Sequence, residues 1–353
     1  MDYLQEVDNT VSNQLWRRAQ EQAWKQVLSV CPPDVQQSME ALPANIQARI
    51  EEIRFRLGKP LQVCGEGVDR FLTLSGSLTA SETTALFVSE EHLSRVLQVV
   101  TQSSLYAVED ELRRGFITMP GGHRVGVAGR AVLYESGEVR SIRSISSVNV
   151  RIARERIGAA DGIMAMVRRH DGRPYNTLVI SPPQCGKTTL IRDMARQWSA
   201  GIGDMVNGLK VSIIDERSEI AGCVDGKIQF QLGARTDVLD ACPKAEGMLM
   251  AIRSLSPDVV VTDEIGRKQD RDAILEATHA GVGVLTSAHA RDVAEWSARP
   301  FMAELFAANA FQRYIVLSRR RGPGTVERVL DADGKPVKTG TARRITGGGS
   351  MSP

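Results

Sequence analysis

The chain has 353 residues, of which 42% are hydrophobic, so it exceeds the usual size of a single core and we expect about two domains. The formal net charge of +2 gives no electrostatic reason to expect a nucleic-acid partner, because proteins that bind phosphate backbones carry a marked basic excess. No apolar run reaches the ~20 residues needed to span a bilayer, and the acidic, polar N-terminus does not resemble a signal peptide. The five cysteines lack metal-ligand spacing and are expected to be reduced thiols, so the composition predicts a cytoplasmic protein.

The N-terminal part mixes helical and β patterns. Apolar residues at helical spacing predict helices at residues 10–30, 34–52, 93–100 and 105–115. A half-buried strand is expected at 53–57, and the run 116–153 carries the turns and β-rich segments of antiparallel hairpins. The sequence therefore predicts an α+β domain over residues 1–155.

Residues 181–189 have the pattern of a phosphate-binding loop between a strand at 177–180 and a helix. Backbone N–H groups at such a helix start surround a polyphosphate, the lysine reaches its outer oxygens, and the following threonine ligates Mg²⁺. Serine stands where the pattern G-x-x-x-x-G-K-[ST] has its first glycine, so the loop entry is expected to differ in shape. The pattern predicts a nucleotide and Mg²⁺ as ligands and a lysine side chain that faces solvent. The loop residues expected to contact the nucleotide are Ser181, Pro182, Pro183, Gln184, Cys185, Gly186, Lys187, Thr188 and Thr189.

An acidic pair, Asp263 and Glu264, ends a buried-type strand at 259–262. At the carboxyl end of a parallel strand the pair is expected to face the phosphates, with Asp263 holding Mg²⁺ through water and Glu264 orienting or deprotonating the attacking water. The alternative is that the pair only caps the following turn. With a phosphate-binding loop already present, we favour the catalytic interpretation.

Two further strands, at 211–215 and 283–289, also end in polar residues. Asp215, at the end of the first strand, and Glu216 and Glu219 after it are candidates to bind metal-linked water, while Ser287 and His289 on the second are candidates to sense the γ-phosphate. The catalytic candidates are thus Lys187, Glu264 and His289, and the metal candidates are Thr188, Asp263, Asp215 and Glu216. His279, within a predicted helix, is interpreted as a structural hydrogen-bonding residue.

The C-terminal part therefore has the pattern of an α/β P-loop NTPase (RecA-like) domain with a mostly parallel central sheet, over residues 156–330. Residues 331–353 are rich in Gly, Thr, Lys and Ser and are expected to form a flexible tail.

Five segments carry a resemblance to a known family: 52–56 (EIRFR), 104–107 (SLYA), 115–126 (GFITMPGGHRVG), 149–153 (NVRIA) and 261–266 (VTDEIG). Over residues 40–330 the chain resembles the stage III sporulation protein AA family of endospore-forming bacteria. The resemblance implies an ATPase related to the motor ATPases of type II and type IV secretion systems and pilus machines, which form rings, usually hexamers, with ATP between two domains. It places the acidic box of those ATPases at Asp215, Glu216 and Glu219 and their histidine box at His289.

The resemblance also implies partners. They are further copies of this chain and the membrane components of the stage III A sporulation channel between mother cell and forespore. Membrane contact is then expected only through those partners, in the mother-cell cytoplasm, and no nucleic acid is expected.

Secretion ATPases place arginines of the N-terminal domain against the nucleotide phosphates, and a guanidinium fork suits a terminal phosphate. The resemblance therefore implies that one or more arginines of the β-rich run act in this way. The candidates are Arg124, Arg130, Arg143, Arg151 and Arg154, and we favour Arg143 and Arg151.

Two other functions fit the phosphate-binding loop. One is a nucleic-acid ATPase with an appended single-strand-binding module built around Arg-x-x-x-His, but no histidine follows His289. The other is a P-loop kinase or nucleotide-binding scaffold without motor action, whereas Glu264 directly after Asp263 suits the activation of water.

Overall fold

The computed structural model of the protein describes residues 20–102, 108–113, 115–201 and 207–337. The chain folds into two compact units. The N-terminal unit contains residues up to Gly158 together with Arg217–Gln231, and the C-terminal unit contains Ala159–Glu216 and the residues from Leu232 onward. A segment of the C-terminal half of the sequence is therefore part of the N-terminal unit.

The N-terminal unit is built on one antiparallel sheet of seven described strands in the order β4-β3-β2-β1-β7-β6-β5. Its strands are β1 (Ile50–Arg56), β2 (Gln62–Gly65), β3 (Val68–Leu72), β4 (Leu78–Thr79), β5 (Phe116–Met119), β6 (His123–Leu133) and β7 (Val139–Arg151). Its helices are α1 (20–28), α2 (Pro33–Glu40), α3 (Ala44–Gln47), α4 (Glu90–Val100) and α5 (Glu109–Arg113). The apolar face of α4 packs into the same core as Ile53 and Phe55 of β1 and Val148 and Val150 of β7.

The prediction of one long helix over 34–52 is wrong. Helix α2 ends at Glu40, a short helix α3 follows, and the strand β1 already begins at Ile50. Pro43 is the reason for the break, because its ring removes a backbone donor and disfavours helical backbone in the residue before it.

The other predicted elements of this unit lie close to those observed. Helix α4 and the hairpin strands β5 to β7 occupy the predicted segments. Residues 105–107 and 114 of the predicted helix at 105–115, and residues 10–19 of the predicted helix at 10–30, lie outside the described residues. Strands β6 and β7 form a long hairpin whose distal part, beyond Ala128, is mostly exposed.

The C-terminal unit contains a second sheet of seven described strands in the order β10-β9-β11-β12-β8-β13-β14. The strands are β8 (Thr177–Ser181), β9 (Val211–Asp215), β10 (Thr236–Asp240), β11 (Val259–Thr262), β12 (Gly283–His289), β13 (Arg313–Ser318) and β14 (Thr325–Leu330). Neighbouring strands run parallel except for β14, which is antiparallel to β13. The helices are α6 (Met164–Val167), α7 (Lys187–Ala200), α8 (Lys244–Ser254), α9 (Lys268–His279), α10 (Val293–Ser297) and α11 (Met302–Ala307).

Strands β8, β9 and β11 are buried along their whole length. Their near-continuous apolar sequences suit parallel strands that are covered on both faces. Within the sheet, His289 pairs with Ser181 and Thr262 pairs with Ile214. The register therefore brings the ends of β8, β9, β11 and β12 to one side of the sheet, which we call the carboxyl edge.

The first residues of the predicted flexible tail are ordered against β14. The Asp331 amide donates to the Lys335 carbonyl at 2.9 Å, and the Val337 amide donates to the Val329 carbonyl at 2.8 Å, so residues 331–337 form a turn attached to β14. Residues 338–353 lie outside the described part of the chain. Among the described residues, no helix has both the length and the apolar character required to cross a membrane.

A buried histidine in the N-terminal unit predicts a pH dependence of stability. His123 is fully buried, its Nδ1 accepts from the Ala153 amide at 3.0 Å, and its Nε2 lies 3.2 Å from Gln26 Oε1. Burial lowers the pKa of His123 from 6.5 to about 4. The unfolded chain therefore binds a proton that the folded unit excludes, and stability falls as pH drops from about 6.5 toward 4, by about 3 kcal/mol in all.

Urea unfolding of wild type and His123→Gln at several pH values in this window measures the effect. His123→Gln should lose stability less steeply with falling pH, because it has no proton to gain on unfolding. His170→Gln changes an exposed histidine and should keep the wild-type slope. Equal slopes for wild type and His123→Gln would contradict the assignment.

Candidate functional site

The predicted phosphate-binding loop lies between β8 and α7. Ser181 is the last residue of β8, is fully buried, and donates its hydroxyl to the Pro182 carbonyl at 2.7 Å. The left-handed positions come later, at Gln184 with φ of 59° and at Gly186 with φ of 86°. Because strand backbone suits any side chain at position 181, serine replaces the expected first glycine without conformational cost.

The side chain of Lys187 does not face solvent, and that expectation is wrong. Lys187 is buried, with 8% of its surface exposed. Its Nζ lies 3.3 Å from the Ser181 carbonyl, 3.2 Å from the Pro182 carbonyl and 2.8 Å from His289 Nδ1. An ammonium group has only donors, so it turns toward the nearest carbonyl and imidazole acceptors.

His289 connects the loop lysine to Glu264. Its Nε2 lies 2.8 Å from Glu264 Oε1, while its Nδ1 faces Lys187. The nitrogen that faces an ammonium must accept, so the tautomer that satisfies both contacts carries its proton on Nε2 and donates it to Glu264. The three predicted catalytic residues thus form one line of hydrogen bonds at the carboxyl edge.

The predicted metal ligands Asp263 and Glu216 lie on either side of a lysine. Lys244 Nζ is 3.3 Å from Asp263 Oδ1 and forms a shorter ion pair with Glu216 Oε2. Burial lowers the pKa of Lys244, but Asp263 and Glu216 together outweigh it and raise that pKa above its ordinary value. Asp215 ends β9 and is fully buried, and Thr188 lies half-buried in the first turn of α7.

The backbone around the acidic pair is fixed by β12. Thr286 Oγ1 donates to the Asp263 carbonyl at 2.9 Å, and the Ile265 amide donates to the Ser287 carbonyl at 2.8 Å. Ser287, predicted to sense phosphate, thus holds the acidic turn through its backbone carbonyl. His279 ends α9 and lines a cavity with Asn176 and Gly283, at the opposite edge of the sheet.

Glu219 is the third residue of the predicted acidic box. It belongs to the N-terminal unit, where its Oε1 lies 2.6 Å from Arg124 Nη1. Arg124 also donates to the Arg217 carbonyl and stacks over the Phe116 ring, with its Cζ 4.1 Å from the ring centroid. Within this unit, Arg124 and Glu219 hold the segment Arg217–Gln231.

The five candidate arginines of the N-terminal unit differ in what they contact. Arg154 donates to the carbonyls of Gln47, Ala48 and Ile50, and burial lowers its pKa. Arg151 is 53% exposed and its Nε lies 3.4 Å from Glu52 Oε1. The remaining two, Arg130 and Arg143, are exposed and directly opposite each other on β6 and β7. Contacts within this unit therefore assign structural roles to Arg124 and Arg154 and leave the other three exposed.

The residues of the site are suited to hold a magnesium ion when nucleotide phosphates supply further ligands to it. Among the described residues, no group of three or more His, Cys, Asp or Glu side chains is arranged to hold a metal. Mg²⁺ in nucleotide sites keeps several waters and takes one or two protein ligands besides substrate phosphates. The hydroxyl of Thr188 and the carboxylate of Asp263 are suitable donors for such an ion.

Lys244 is the site residue that sequence reasoning missed. A signal for it exists, because Pro243 marks a helix start and Lys244 is the first residue of α8. The positive end of the helix dipole disfavours a lysine at this position. A charge in such an unfavourable position indicates that an acidic side chain elsewhere in the fold is paired with it.

Comparison with known proteins gives two kinds of match. A family model described as "Sporulation stage III, protein AA" matches residues 21–337. Stage III sporulation protein AA of Bacillus subtilis is 43% identical over 316 residues, which cover 90% of this chain and 98% of that relative. These two findings confirm the resemblance predicted from the sequence motifs.

The second match is a likeness of fold. The X-ray structure of the ATPase DotB from Legionella pneumophila aligns with a TM-score of 0.52 and 17% identity, over 80% of this chain and 74% of that chain. The two-sheet architecture described above is thus shared with a solved ATPase.

The backbone at Gly186 predicts the effect of a single methyl group. Gly186 has φ of 86°, and a Cβ there would lie 3.0 Å from the Gly324 nitrogen and 3.2 Å from its Cα. Gly186→Ala should therefore cost about 1–2 kcal/mol of stability from the left-handed backbone alone, and should also weaken nucleotide binding by displacing the loop.

Chemical unfolding and calorimetric titration with ATP measure the two effects. Gly162→Ala is the matched control, because a Cβ at Gly162 meets nothing within 4 Å. If the two variants behave alike, the close approach of Gly186 to Gly324 does not constrain the loop.

Proposed function

The chain belongs to the sporulation stage III protein AA family, and we propose that it is an Mg²⁺-dependent ATPase that acts as a ring-forming motor of the secretion type. One observation carries the catalytic part of the proposal. Lys187, in the predicted phosphate-binding loop, forms a line of hydrogen bonds with His289 and Glu264 at the carboxyl edge of an α/β sheet. Ligands of such sheets bind outside the carboxyl ends of the strands.

Phosphate binding begins with an exchange of acceptors by Lys187. Its present acceptors are neutral carbonyl oxygens and an imidazole nitrogen. The anionic oxygens of a nucleotide are stronger acceptors, because charge-assisted hydrogen bonds are roughly twice as strong as neutral ones. Lys187 therefore moves from the loop carbonyls to the phosphates, beside the backbone amides at the start of α7.

Glu264 is then the base for hydrolysis. It takes a proton from a water molecule whose oxygen forms the new bond to the γ-phosphorus, while the bond from phosphorus to the departing ADP oxygen breaks. The Nε2–H group of His289 donates a hydrogen bond to Glu264 and so fixes the orientation of the carboxylate. When Lys187 leaves His289 for the phosphates, His289 loses the hydrogen bond at its Nδ1. Nucleotide binding thus changes the contacts of the residue that orients Glu264.

Mg²⁺, when bound with the nucleotide, neutralises charge on the phosphate oxygens. Thr188 would hold it through its hydroxyl and Asp263 through water, and Asp215 and Glu216 are the further acidic residues of this edge.

An exposed arginine of the N-terminal unit completes the phosphate contacts in this proposal. Arg143 and Arg151 are the favoured residues, and Arg130 is opposite Arg143 in register. Two like charges that face each other across a strand pair destabilise it. An anion between them removes that cost, so the Arg130–Arg143 pair is suited to a phosphate group.

The assembly part of the proposal rests on the family. We infer a homo-oligomeric ring, hexameric as in secretion motors, in the mother-cell cytoplasm. Its partners are membrane components of the stage III A sporulation channel, through which it reaches the membrane, and no nucleic acid takes part.

Glu264→Gln separates binding from chemistry. The amide keeps the shape of the side chain but cannot take a proton, so ATP should bind with little change while hydrolysis falls by about two to four orders of magnitude. Filter binding of labelled ATP and single-turnover phosphate release give the two quantities. Glu276→Gln, a half-exposed carboxylate on α9, should retain wild-type values.

Lys187→Ala is the complementary variant and should lose nucleotide binding itself. A parallel loss of binding and hydrolysis in Glu264→Gln would instead make Glu264 a structural residue. Light scattering of Glu264→Gln with ATP and Mg²⁺ tests the ring, which as a hexamer has six times the 38.6 kDa mass of the chain.

Arg143→Ala should lower turnover by about tenfold or more, as expected for a lost charge-assisted phosphate contact. Its thermal stability should stay constant or rise, because the repulsion between Arg130 and Arg143 is removed. Steady-state ATPase assays and thermal unfolding measure both. Arg140→Ala, an exposed arginine on the same strand, should leave turnover unchanged, and equal turnover in the two variants would exclude Arg143 from the site.

A further inference from the structure

Lys244 occupies an unfavourable position for a cation. Only 8% of its surface is exposed, and it is the first residue of α8, where the helix dipole is positive. A buried charge is costly unless it is paired and hydrogen-bonded. The fold therefore must supply a strong compensating interaction at this point.

The compensation comes from two carboxylates on neighbouring strands. Glu216 directly follows β9 and Asp263 directly follows β11, and these strands pair in parallel with Thr262 opposite Ile214. Both carboxylates are within ion-pair distance of Lys244 Nζ. Lys244 is thus one cation shared by two negative charges.

We propose that Lys244 is a built-in counter-cation for Glu216 and Asp263, which keeps free divalent cations out of the carboxyl edge until a nucleotide brings its own metal. A free ion has to displace an ammonium that is paired on two sides. A metal that arrives bound to nucleotide phosphates contacts only Asp263 of the two carboxylates. Lys244 then keeps its shorter contact with Glu216. This inference rests on the proposed nucleotide site for the identity of the incoming metal.

The property itself is measurable without nucleotide or hydrolysis. Lys244→Met keeps the length of the side chain and removes its charge, so that Glu216 and Asp263 become available to a divalent ion. Titration with Mn²⁺, followed by electron paramagnetic resonance in the absence of nucleotide, should show at least about tenfold tighter binding than in wild type. The thermal midpoint of Lys244→Met should also rise on addition of Mg²⁺.

Two further variants make the test specific. Lys268→Met is the matched control, because Lys268 is likewise the first residue of a helix but is exposed, and it should bind Mn²⁺ as weakly as wild type. Adding Glu216→Gln to Lys244→Met removes one carboxylate and should abolish the gained Mn²⁺ binding. If Lys244→Met folds only with metal, the double variant should fold without it.

The proposal is overturned if Lys244→Met binds Mn²⁺ no more tightly than wild type, or if Lys268→Met gains equally. It is also overturned if the double variant fails to fold without metal, because Lys244 would then be needed for packing and not for charge. The absence of ATP hydrolysis by wild type would count against the ATPase assignment alone, since none of these measurements uses ATP.

Discussion

A buried ammonium group must have acceptors around it, and two such groups organise the carboxyl edge of the second sheet. Lys187 is held by the carbonyls of its own loop and by His289, and Lys244 is held by Glu216 and Asp263. Each amine thus holds in place the acceptor or acidic groups to which the proposed function gives a role in nucleotide binding or hydrolysis. Part of the negative charge of the edge is therefore balanced from within the chain, and the paired groups contact a ligand by exchange of partners.

This arrangement depends on strand register more than on any single loop. His289 is opposite Ser181 because β12 and β8 pair in parallel, and Asp263 is near Glu216 because β11 pairs with β9. A shift of one residue in either pairing would turn alternate side chains to the other face. Strands β8, β9 and β11 are buried along their whole length, so the packed apolar core holds in place the strand ends that carry the polar groups.

Local patterns in the sequence predicted the loop, the strands that end in acids and the long hairpin, because each is encoded within a few neighbouring residues. The predicted helix over 34–52 failed at Pro43, a local signal that was outweighed by apolar periodicity. The direction of the Lys187 side chain and the pairing of Lys244 were not predictable in this way, because their partners are distant in sequence and meet only through the sheet. The candidate arginines are alike in sequence, and only their contacts separate Arg124 and Arg154 from the exposed three.

The segment Arg217–Gln231 has a consequence for how this protein can be divided. It begins immediately after Glu216, and within the N-terminal unit it is held by Arg124 and by the packing of Phe230 against Gly122 and Gly222. Neither unit is therefore one continuous stretch of sequence. A cut near residue 158 would leave the C-terminal fragment with a loop whose apolar ring and acidic side chain have lost the surfaces they pack on. Exchange of one unit between relatives would therefore require the transfer of two separate pieces of chain.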